Sequence, residues 1–434
     1  MQSEGNGPTL GSLVSLVRGN TYKSALLGLP GPVLLGLASI QRDGGFRGDS
    51  LKTYGGESAS KLLLSPGDLY VSLKDVTQSG DLLGAVARLP KSVPVGRLTQ
   101  DTVKLVFDAA SYPPSLLYWA LRAPEYRSYC RERAIGTTNL SLSRDDFLAF
   151  QLPAATKPRL NLVELLERIE HRIDLLRQTN ATLESIAQAL FKSWFIDFDP
   201  VRAKFEGREP EGMDTATAAL FPAEFEESVL GSIPKGWSPG KLEVICSNPR
   251  VQAKPGQMPP ETPYIGLEHM PRKSIALGDA GTAEGLESGK FWFERNDVLF
   301  GKLRPYFHKV GLAPVRGVCS TDILVLRPKS PEWLGFLAMH ASSDALISYT
   351  TQLSNGARMP RTSWHDVGGF DVTLPPHTVA SAFDAAVKPM VERIHANIEA
   401  AQLLASLRDT LLPRLISGKL RLPEAQEQLD DALA

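Results

Sequence analysis

Cysteine is scarce in this chain of 434 residues, and the three that it has are widely spaced. Cys130, Cys246 and Cys319 form no CxxC pair, which argues against a zinc ribbon or a disulfide scaffold and favours a reducing cytoplasm. Long apolar runs are also missing, since none approaches the roughly 18 residues needed to cross a bilayer. Residues 1–11 show no basic region followed by an apolar stretch, so we expect no secretory signal.

Sequence motifs of self-contained enzymes are absent as well. We find no GxxxxGK[ST] phosphate loop, no GxGxxG before a helix, no HExxH and no [DN]-Pro-Pro-aromatic motif of an amino-methyltransferase. The seven histidines are scattered, and we predict that His269 and His308 face the surface or DNA rather than a metal. The pair Asp145-Asp146 is interpreted as a helix start or a turn. We therefore predict a chain with no catalytic residues and no metal site.

What the chain does have is a long internal repeat, whose copies lie about 221 to 230 residues apart. Three short segments recur: 35–37 with 265–267, 67–71 with 296–300, and 150–153 with 372–375. In each copy a β-rich segment punctuated by Gly and Pro leads into one long amphipathic segment. Because such duplication governs a fold, we predict two similar β-rich heads held by helices.

The first amphipathic segment, 160–194, has an apolar residue at every seventh position and contains neither Gly nor Pro. The repeating positions are Leu162, Ile169, Leu176, Leu183 and Leu190. Over roughly 50 Å of helix, such a narrow stripe favours a single partner helix. Segment 378–417 supplies it, although Pro389 predicts a kink or a later helix start. We predict an antiparallel pair with one head at each end; the alternative is that each helix only caps its own head.

These patterns together predict an α+β fold with a pseudo-two-fold internal repeat. Two similar β-rich α/β heads would be joined by an antiparallel pair of long coiled-coil helices. The predicted domains are the first head at 1–157, the central helix and linker at 158–236, the second head at 237–376, and the distal helix with the C-terminal tail at 377–434.

Charge is unevenly divided along the chain, although the net charge is only −1. Residues 1–157 hold 17 Lys/Arg against 13 Asp/Glu, and residues 237–376 hold 15 against 13, so both heads are basic. Residues 158–236, with 9 against 14, and 377–434, with 6 against 8, are acidic. Sampling noise alone can give such small differences, yet the same sign in both copies favours heads that meet phosphate and helices that meet protein.

Aromatic residues cluster where the first helix ends. Trp194, Phe195 and Phe198 lie there beside Phe191, next to an acidic stretch that contains Pro and Gly. Such a cluster is either a plain linker with a few anchoring rings or a surface that docks a partner protein. The residues alone leave these two interpretations nearly even.

The region around this cluster carries a specific resemblance. Residues 190–204 read LFKSWFIDFDPVRAK, 206–213 read EGREPEGM, and 230–237 read LGSIPKGW. This region resembles the centre of specificity subunits (HsdS) of type I restriction-modification systems. The likeness in layout covers essentially the whole chain, as head, helix, head, helix. One position departs from the family. In many members a Gln stands four positions after Leu-Pro-Pro, whereas here Leu374-Pro375-Pro376 is followed at that position by Ala380. This change concerns the start of the second helix and not the recognition of DNA.

The resemblance implies a function, partners and a cofactor. Each head would be a target recognition domain that reads one half of a bipartite, asymmetric DNA sequence, and the helix pair would set the gap. Two methyltransferase subunits would bind the helices and the central region, with contacts at Trp194, Phe195 and Phe198. S-adenosylmethionine would be bound by those subunits and not by this chain, and restriction subunits would join them. The amino-acid sequences of both heads vary from member to member of the family, so the resemblance implies no particular DNA target.

DNA contacts are expected on loops that follow the repeated strands, because Arg, Lys, Asn, Ser, Thr and Tyr there suit base edges and phosphates. In the first head these are Arg18, Thr21, Tyr22, Lys23, Arg42, Arg47, Ser72, Lys74, Thr137, Thr138 and Asn139. In the second head they are Lys302, Arg304, Tyr306, Asn355, Arg358 and Arg361, with Gly356 matching Gly136. For each residue the competing interpretation is an ordinary solvated loop side chain.

A DNA sequence-specificity subunit is thus the leading hypothesis. The alternative from another class is a protein-interaction scaffold of a different defence complex, whose heads no longer bind DNA. Heads without salt-dependent affinity for DNA would favour that scaffold, because neutralising phosphates produces a steep salt dependence.

Overall fold

The structure, a computed structural model, describes residues 7–48, 51–76, 79–107, 112–137, 139–354 and 358–417. The chain forms two compact units, of which unit 1 comprises Met1–Ile173 with Leu403–Ala434 and unit 2 comprises Asp174–Gln402. Each unit contains one β-rich head and a part of both long helices. The domain boundaries expected from the sequence are not tested by this division and stay a prediction.

Unit 1 builds its head from nine short strands and three short helices in the described residues. The strands are β1 Val14–Arg18, β2 Val33–Leu35, β3 Leu63–Leu64, β4 Leu69–Ser72, β5 Lys74–Asp75, β6 Val86–Arg88, β7 Gly96–Leu98, β8 Thr102–Phe107 and β9 Leu140–Ser141. The helices are α1 Pro114–Ala120, α2 Pro124–Glu132 and α3 Arg144–Leu148. Proline at the start of α1 and α2 suits a helix N-terminus, where its missing N–H costs nothing.

Two larger sheets and the two-stranded sheet β5-β9 form this head. An antiparallel sheet has the strand order β1-β8-β4-β6, and a smaller sheet has the order β2-β7-β3, in which β2 and β7 are parallel. Strand β4 lies between β8 and β6, and all four of its residues are buried. Buried Leu35, Tyr70 and Leu98 join the two larger sheets in one apolar cluster.

The long first helix and the segment after it lead into unit 2. These elements are α4 Lys157–Phe191, a π-helical turn Lys192–Ile196, α5 Asp199–Phe205, α6 Thr215–Ala219 and the hairpin strands β10 Phe225–Ser228 and β11 Gly231–Pro234. Phe198 adopts a left-handed conformation with φ of 54° and separates the π-helical turn from α5. A left-handed conformation is uncommon for an aromatic residue, so the surrounding packing must hold it.

The head of unit 2 has more strands than the first, and its strands and helices follow in the same general order. The strands are β12 Ser238–Lys241, β13 Cys246–Ser247, β14 Gln252–Ala253, β15 Pro263–Ile265, β16 Gly281–Thr282, β17 Lys290–Phe293, β18 Val298–Gly301, β19 Val310–Leu312, β20 Gly317–Cys319, β21 Ile323–Pro328 and β22 Asp371–Leu374. The helices are α7 Leu334–Ala341, α8 Asp344–Leu353, α9 Trp364–Gly368 and the second long helix, α10 His377–Ser417.

The predicted duplication is visible in the strand order of the two heads. The sheet of unit 2 has the strand order β13-β21-β18-β19, and the sheet of unit 1 has the order β1-β8-β4-β6. In both, the longest strand (β21 or β8) lies between an edge strand and a central strand, and a second edge strand follows the central one. Strand β15 pairs in parallel with β20, as β2 does with β7, and β17 matches β3. The echoed segments 35–37 and 265–267 occupy the same place, since each ends its strand and enters a 3-10 turn. Two similar α/β heads with long helices are therefore confirmed.

The long helix α4 runs close to its expected bounds, and its buried face shifts along its length. Leu162, Ile169 and Leu176 are buried, whereas Leu183 and Leu190 are only half-buried. Glu184 and Phe191 take over the buried positions in the later turns. A straight α-helix drifts by about 20° per seven residues relative to a strict heptad, which accounts for this shift.

Helix α10 is antiparallel to α4 within unit 2. Asn397 Nδ2 donates to Asn180 Oδ1 at 2.8 Å, and the Phe383 ring lies 6.2 Å from the Phe191 ring, centroid to centroid. Residue numbers therefore rise along one helix as they fall along the other. The expectation of a later helix start is wrong, because α10 begins at His377 and continues through Pro389.

In unit 1, charged side chains join the head to its helical segments. Arg88 forms two hydrogen bonds of 2.8 Å to the Glu167 carboxylate, and the Trp119 indole N–H donates to the same carboxylate at 2.8 Å. Glu170 accepts from Arg408 of α10 at 3.0 Å. Paired geometry of this kind between Arg and a carboxylate fixes orientation as well as adding energy.

In unit 2 the equivalent junction is mostly apolar. Phe195 packs edge-on against Phe336 of α7 and Phe383 of α10, with centroids 4.9 Å away in both cases. Glu184 adds a charged group to this junction, and its carboxylate accepts from the Ser274 hydroxyl and the Ala276 N–H, each at 2.8 Å. Burial raises the pKa of Glu184, and these two hydrogen bonds partly offset that effect.

Among the described residues, no helix combines the length and the apolar character that crossing a membrane requires.

Candidate nucleic-acid interface

One end of the main sheet gathers several of the predicted loops in the first head. Strands β1 and β4 both end where β8 begins, since Arg18 pairs with Val103 and Ser72 pairs with Thr102. The segments that leave β1 and β4 therefore emerge side by side.

Contacts with the turn before β8 hold these segments together. Arg18 Nε donates to the Gln100 carbonyl at 3.4 Å, and Lys74 Nζ lies 3.9 Å from the Asp101 carboxylate. Strand β5 also pairs Lys74 with Ser141 of β9, which brings the loop before β9 to the same place.

The loop before β9 presents polar side chains to solvent. Thr137 and Asn139 are exposed, while Thr138 lies outside the described residues. Gly136 has φ of 109°, and a Cβ there would come within 2.3 Å of the Asn139 carbonyl oxygen. Only glycine fits this tight turn without strain.

A buried arginine organises the segment after β1. Arg97 Nη2 donates to Asn20 Oδ1 at 2.7 Å and to the Thr21 carbonyl at 3.2 Å. Tyr22 is exposed and meets Tyr54 edge-on, with ring centroids 6.3 Å away from each other. Thr21 and Lys23 are exposed beside it, so all three predicted side chains of this segment are on the surface.

The Gly-rich loop near residue 43 also reaches solvent. Arg42 is 84% exposed and lies 3.8 Å from the Asp81 carboxylate, and Arg47 is exposed too. Asp43, between them, is held from the inside by Arg127 at 3.2 Å and Arg131 at 2.7 Å. The loop is thus anchored at Asp43, with Arg42 outside.

One predicted contact in this head needs correction. Ser72 is fully buried, and its hydroxyl donates to the Lys74 carbonyl at 2.5 Å. The residue closes a central strand instead of opening a surface loop, so it is not available to a ligand.

In the second head, the two predicted loops come into contact. The Arg304 N–H donates to the Pro360 carbonyl at 2.7 Å, and Leu303 forms a β-bridge with Arg361. The Thr362 N–H donates to the Lys302 carbonyl at 3.0 Å. Loops 302–306 and 358–361 therefore form one surface, a contact that was not predicted from the sequence.

The side chains of this surface differ in their exposure and in their hydrogen-bond partners. Tyr306 and Arg358 are exposed, and Arg361 Nε donates to Asp322 Oδ1 at 3.2 Å. Arg304 has φ of 52°, and its Nη2 donates to the Arg358 carbonyl at 3.3 Å. Its buried Nε has no hydrogen-bond partner among the described residues. Asn355 and Gly356 lie outside the described residues.

Two further expectations fail because the side chains are internal. His308, expected at the surface, is buried, and its Nε2 lies 2.9 Å from the Ser342 carbonyl oxygen. Trp194, Phe195 and Phe198 are likewise buried in the apolar core of unit 2. These three rings anchor the segment after α4. Exposed apolar side chains in the same segment include Ile196 and Phe205, and Phe205 is 66% exposed.

One loop of the second head was missed by sequence reasoning. Strand β13 occupies the place of β1 in the repeated sheet, so residues 248–251 correspond to the start of the segment after β1. Asn248 and Arg250 thus stand beside the loop that carries Lys302. This correspondence was difficult to detect in the sequence, because β13 has only two residues and its sequence does not resemble that of β1.

Comparison with known proteins finds relatives of one kind. No protein-family model matches the chain. It is 23% identical over 355 residues to the type I restriction enzyme HindI specificity subunit of Haemophilus influenzae, covering 70% of this chain and 76% of that protein. It is 22% identical over 316 residues to the MjaIX specificity subunit of Methanocaldococcus jannaschii, covering 71% and 69% respectively.

Two solved structures align with most of the chain at low sequence identity. The type I restriction-modification S subunit from M. genitalium aligns over 96% of this chain and 98% of its own, with a TM-score of 0.49 and 15% identity. The HsdS subunit from Thermoanaerobacter tengcongensis aligns over 95% and 96%, with a TM-score of 0.30 and 15% identity.

Proposed function

Because the chain belongs to the family of type I restriction enzyme specificity subunits, we propose that it reads a bipartite, asymmetric DNA sequence. Each head reads one half-site, and the predicted domains 1–157 and 237–376 are the two target recognition domains. The observation that carries this proposal is the repeated sheet, which in both heads presents exposed basic and polar loops at the corresponding end. Basic loops neutralise phosphates and position neighbouring side chains for base edges.

The differing loop residues of the two heads support an asymmetric target. The first head offers Thr137, Asn139 and Tyr22 on this surface, whereas the second offers Arg304, Arg358 and other residues around them. Arg favours guanine and Asn favours adenine in the major groove, so different loops select different half-sites.

The helix pair sets the gap between the half-sites. Each unit includes part of α4 and part of α10, and α4 is 35 residues long, about 52 Å at 1.5 Å per residue. A helix pair with a shared buried seam resists bending and slipping, which a fixed spacer requires.

A paired deletion tests this role. Removing 173–179 from α4 and 398–404 from α10 takes out seven residues from each helix and spares both Glu170–Arg408 and Asn180–Asn397. Seven residues keep the buried face nearly unchanged and shorten the pair by roughly 10 Å, or about three base pairs at 3.4 Å each. The spacer should shrink by about that number while both half-sites stay the same; changed half-sites with a constant spacer would refute the role.

Methyltransferase subunits bind the central region, and restriction subunits join them. Since Trp194, Phe195 and Phe198 are internal, the contact surface consists of exposed apolar neighbours such as Ile196 and Phe205. Exposed large apolar side chains of this kind are typical of the core of a protein interface. Methyl transfer from S-adenosylmethionine and DNA cleavage are assigned to those partners, and this chain supplies recognition.

Selection from a random duplex pool tests the whole proposal. The full chain with methyltransferase subunits present should enrich two defined blocks that flank an undefined spacer of constant length. Enrichment of one continuous block, or binding without sequence preference, would contradict it.

A further inference from the structure

The second head contains a cavity that is lined by one predicted DNA contact, Lys302, and by residues that were not predicted to bind DNA. Its volume is about 190 Å³, and it opens between three segments: the loop after β13, the loop after β18 and the start of α9. The polar side chains around it include Asn248, Arg250, Lys302 and Thr362, and the aromatic ones are Phe291 and Trp364.

The charged side chains that line this cavity, among the described residues, are all cationic. Nine described residues line the cavity; none of them is acidic, and two, Arg250 and Lys302, are cationic. Asp322, which precedes the lining residue Ile323, already accepts from Arg361 Nε at 3.2 Å. Among the residues that the structure describes, neither Arg250 nor Lys302 has an ion-pair partner.

Arg250 is held in place by its backbone and by a ring. It has φ of 47°, a left-handed conformation that is uncommon for arginine. Its guanidinium carbon lies 5.7 Å from the centroid of the Phe291 ring, within the range of a cation–π contact. Strained backbone conformations of this kind cluster at ligand sites.

Two cations that share a cavity without an acidic residue repel each other until an anion enters. We propose that this cavity binds a backbone phosphate of duplex DNA, held between Arg250 and Lys302. Asn248 supplies an amide donor beside it, and the volume leaves room for part of the attached sugar. The proposal rests on the proposed function and adds a positioning contact in the half-site of the second head. Phosphate contacts fix register and carry no direct sequence information.

Salt dependence of DNA binding tests the proposal with the full chain and a labelled random-sequence duplex. Neutralising one phosphate contact lowers the slope of log K against log salt by about 0.9. The double variant Arg250→Gln with Lys302→Gln should show that loss, and Arg250→Lys should keep the wild-type slope. Lys388→Gln with Arg393→Gln on α10 is the matched control, since it also removes two positive charges and both residues lie outside the cavity.

The outcomes separate this inference from the proposed function. An unchanged slope in the double variant, with normal salt-dependent binding by the wild type, would overturn the phosphate site alone. A double variant that enriches different base blocks at an unchanged slope would also overturn it, because the cavity would then read bases. Wild-type chain without any salt-dependent affinity for DNA would overturn the proposed function and this site with it.

Discussion

The hydrogen bond between Asn180 and Asn397 gives a sharp test of how the long helices pair. Both side chains are only 5% exposed, and Asn397 Nδ2 donates to Asn180 Oδ1 at 2.8 Å. Replacing one of them by Leu leaves the other amide buried without a partner. An orphaned polar group costs about 1–3 kcal/mol, so Asn180→Leu and Asn397→Leu should each lower the free energy of unfolding of unit 2 by that amount.

The double variant should behave differently. With both amides gone, no orphaned group remains, and two leucines extend the apolar seam between the helices. Replacing both partners by apolar groups is nearly neutral or stabilising, so the two single losses should not add. The coupling energy in this double-mutant cycle should therefore be about 2 kcal/mol or more in favour of the double variant.

Urea unfolding followed by tryptophan fluorescence measures these differences. Five of the six tryptophans belong to unit 2, so the signal reports mainly on that unit. Gln178→Leu, at an exposed position of α4, is the matched control and should change the free energy of unfolding by less than about 0.5 kcal/mol. Additive losses in the double variant would refute the shared bond and the helix register that it defines.

Three further predictions concern other parts of the chain. Burial lowers the pKa of His340 from its usual 6.5 to about 3. Between these two pH values the unfolded chain therefore binds a proton at this histidine, and the folded chain does not. Wild-type unit 2 should lose stability as pH falls from about 6.5 towards 3, and His340→Leu should reduce this loss by up to about 1.4 kcal/mol per pH unit in urea titrations. Part of the dependence should remain, because burial also lowers the pKa of His395, to about 4. Glu167→Gln should destabilise unit 1 by about 1 kcal/mol in thermal unfolding, because it weakens the pair with Arg88, whose partly exposed side chains are screened by solvent. Phe205→Ser should reduce co-purification of methyltransferase subunits at an unchanged melting temperature, whereas Phe195→Ala should cost about 3–5 kcal/mol of stability as a core truncation.

Each of these has a contradicting result. Equal pH dependence in wild type and His340→Leu would show that this histidine is not the group that titrates. Full stability of the Glu167→Gln variant would mean that the head of unit 1 does not depend on that carboxylate. Unchanged co-purification with Phe205→Ser would place the methyltransferase contact elsewhere.

The parts of the fold that local periodicity encodes could be predicted from the sequence. Helix α4 was expected at 160–194 and spans Lys157–Phe191, because an uninterrupted apolar stripe specifies a helix almost regardless of context. The repeated segments 35–37 and 265–267 also fell at equivalent places, since the same local sequence ends the same strand in both heads.

The errors arose where long-range contacts decide burial. Phe195 resembles an exposed docking residue in the sequence, but it packs on Phe336 and Phe383, more than a hundred positions away along the chain. Ser72 ends a strand that has neighbours on both sides, and a strand of four buried residues has no alternation to reveal it. Neither arrangement leaves a mark within a short window of sequence.

The candidate site was predictable as loops and less so as residues. Both loops that were expected to carry contact residues in the second head, 302–306 and 358–361, lie on one surface, and the cavity beside them also involves Asn248 and Arg250. Those two residues follow a strand of two residues, which is too short to show a pattern. Only the sheet order revealed that their loop corresponds to the one after β1.

The positions of methylated bases in the genome of a host that carries the full system test the central claim most directly. If two heads read two half-sites at a separation fixed by the helix pair, every methylated site will contain two short defined blocks and a gap of one constant length. Methylation within a single uninterrupted motif, or gaps that vary from site to site, would contradict it.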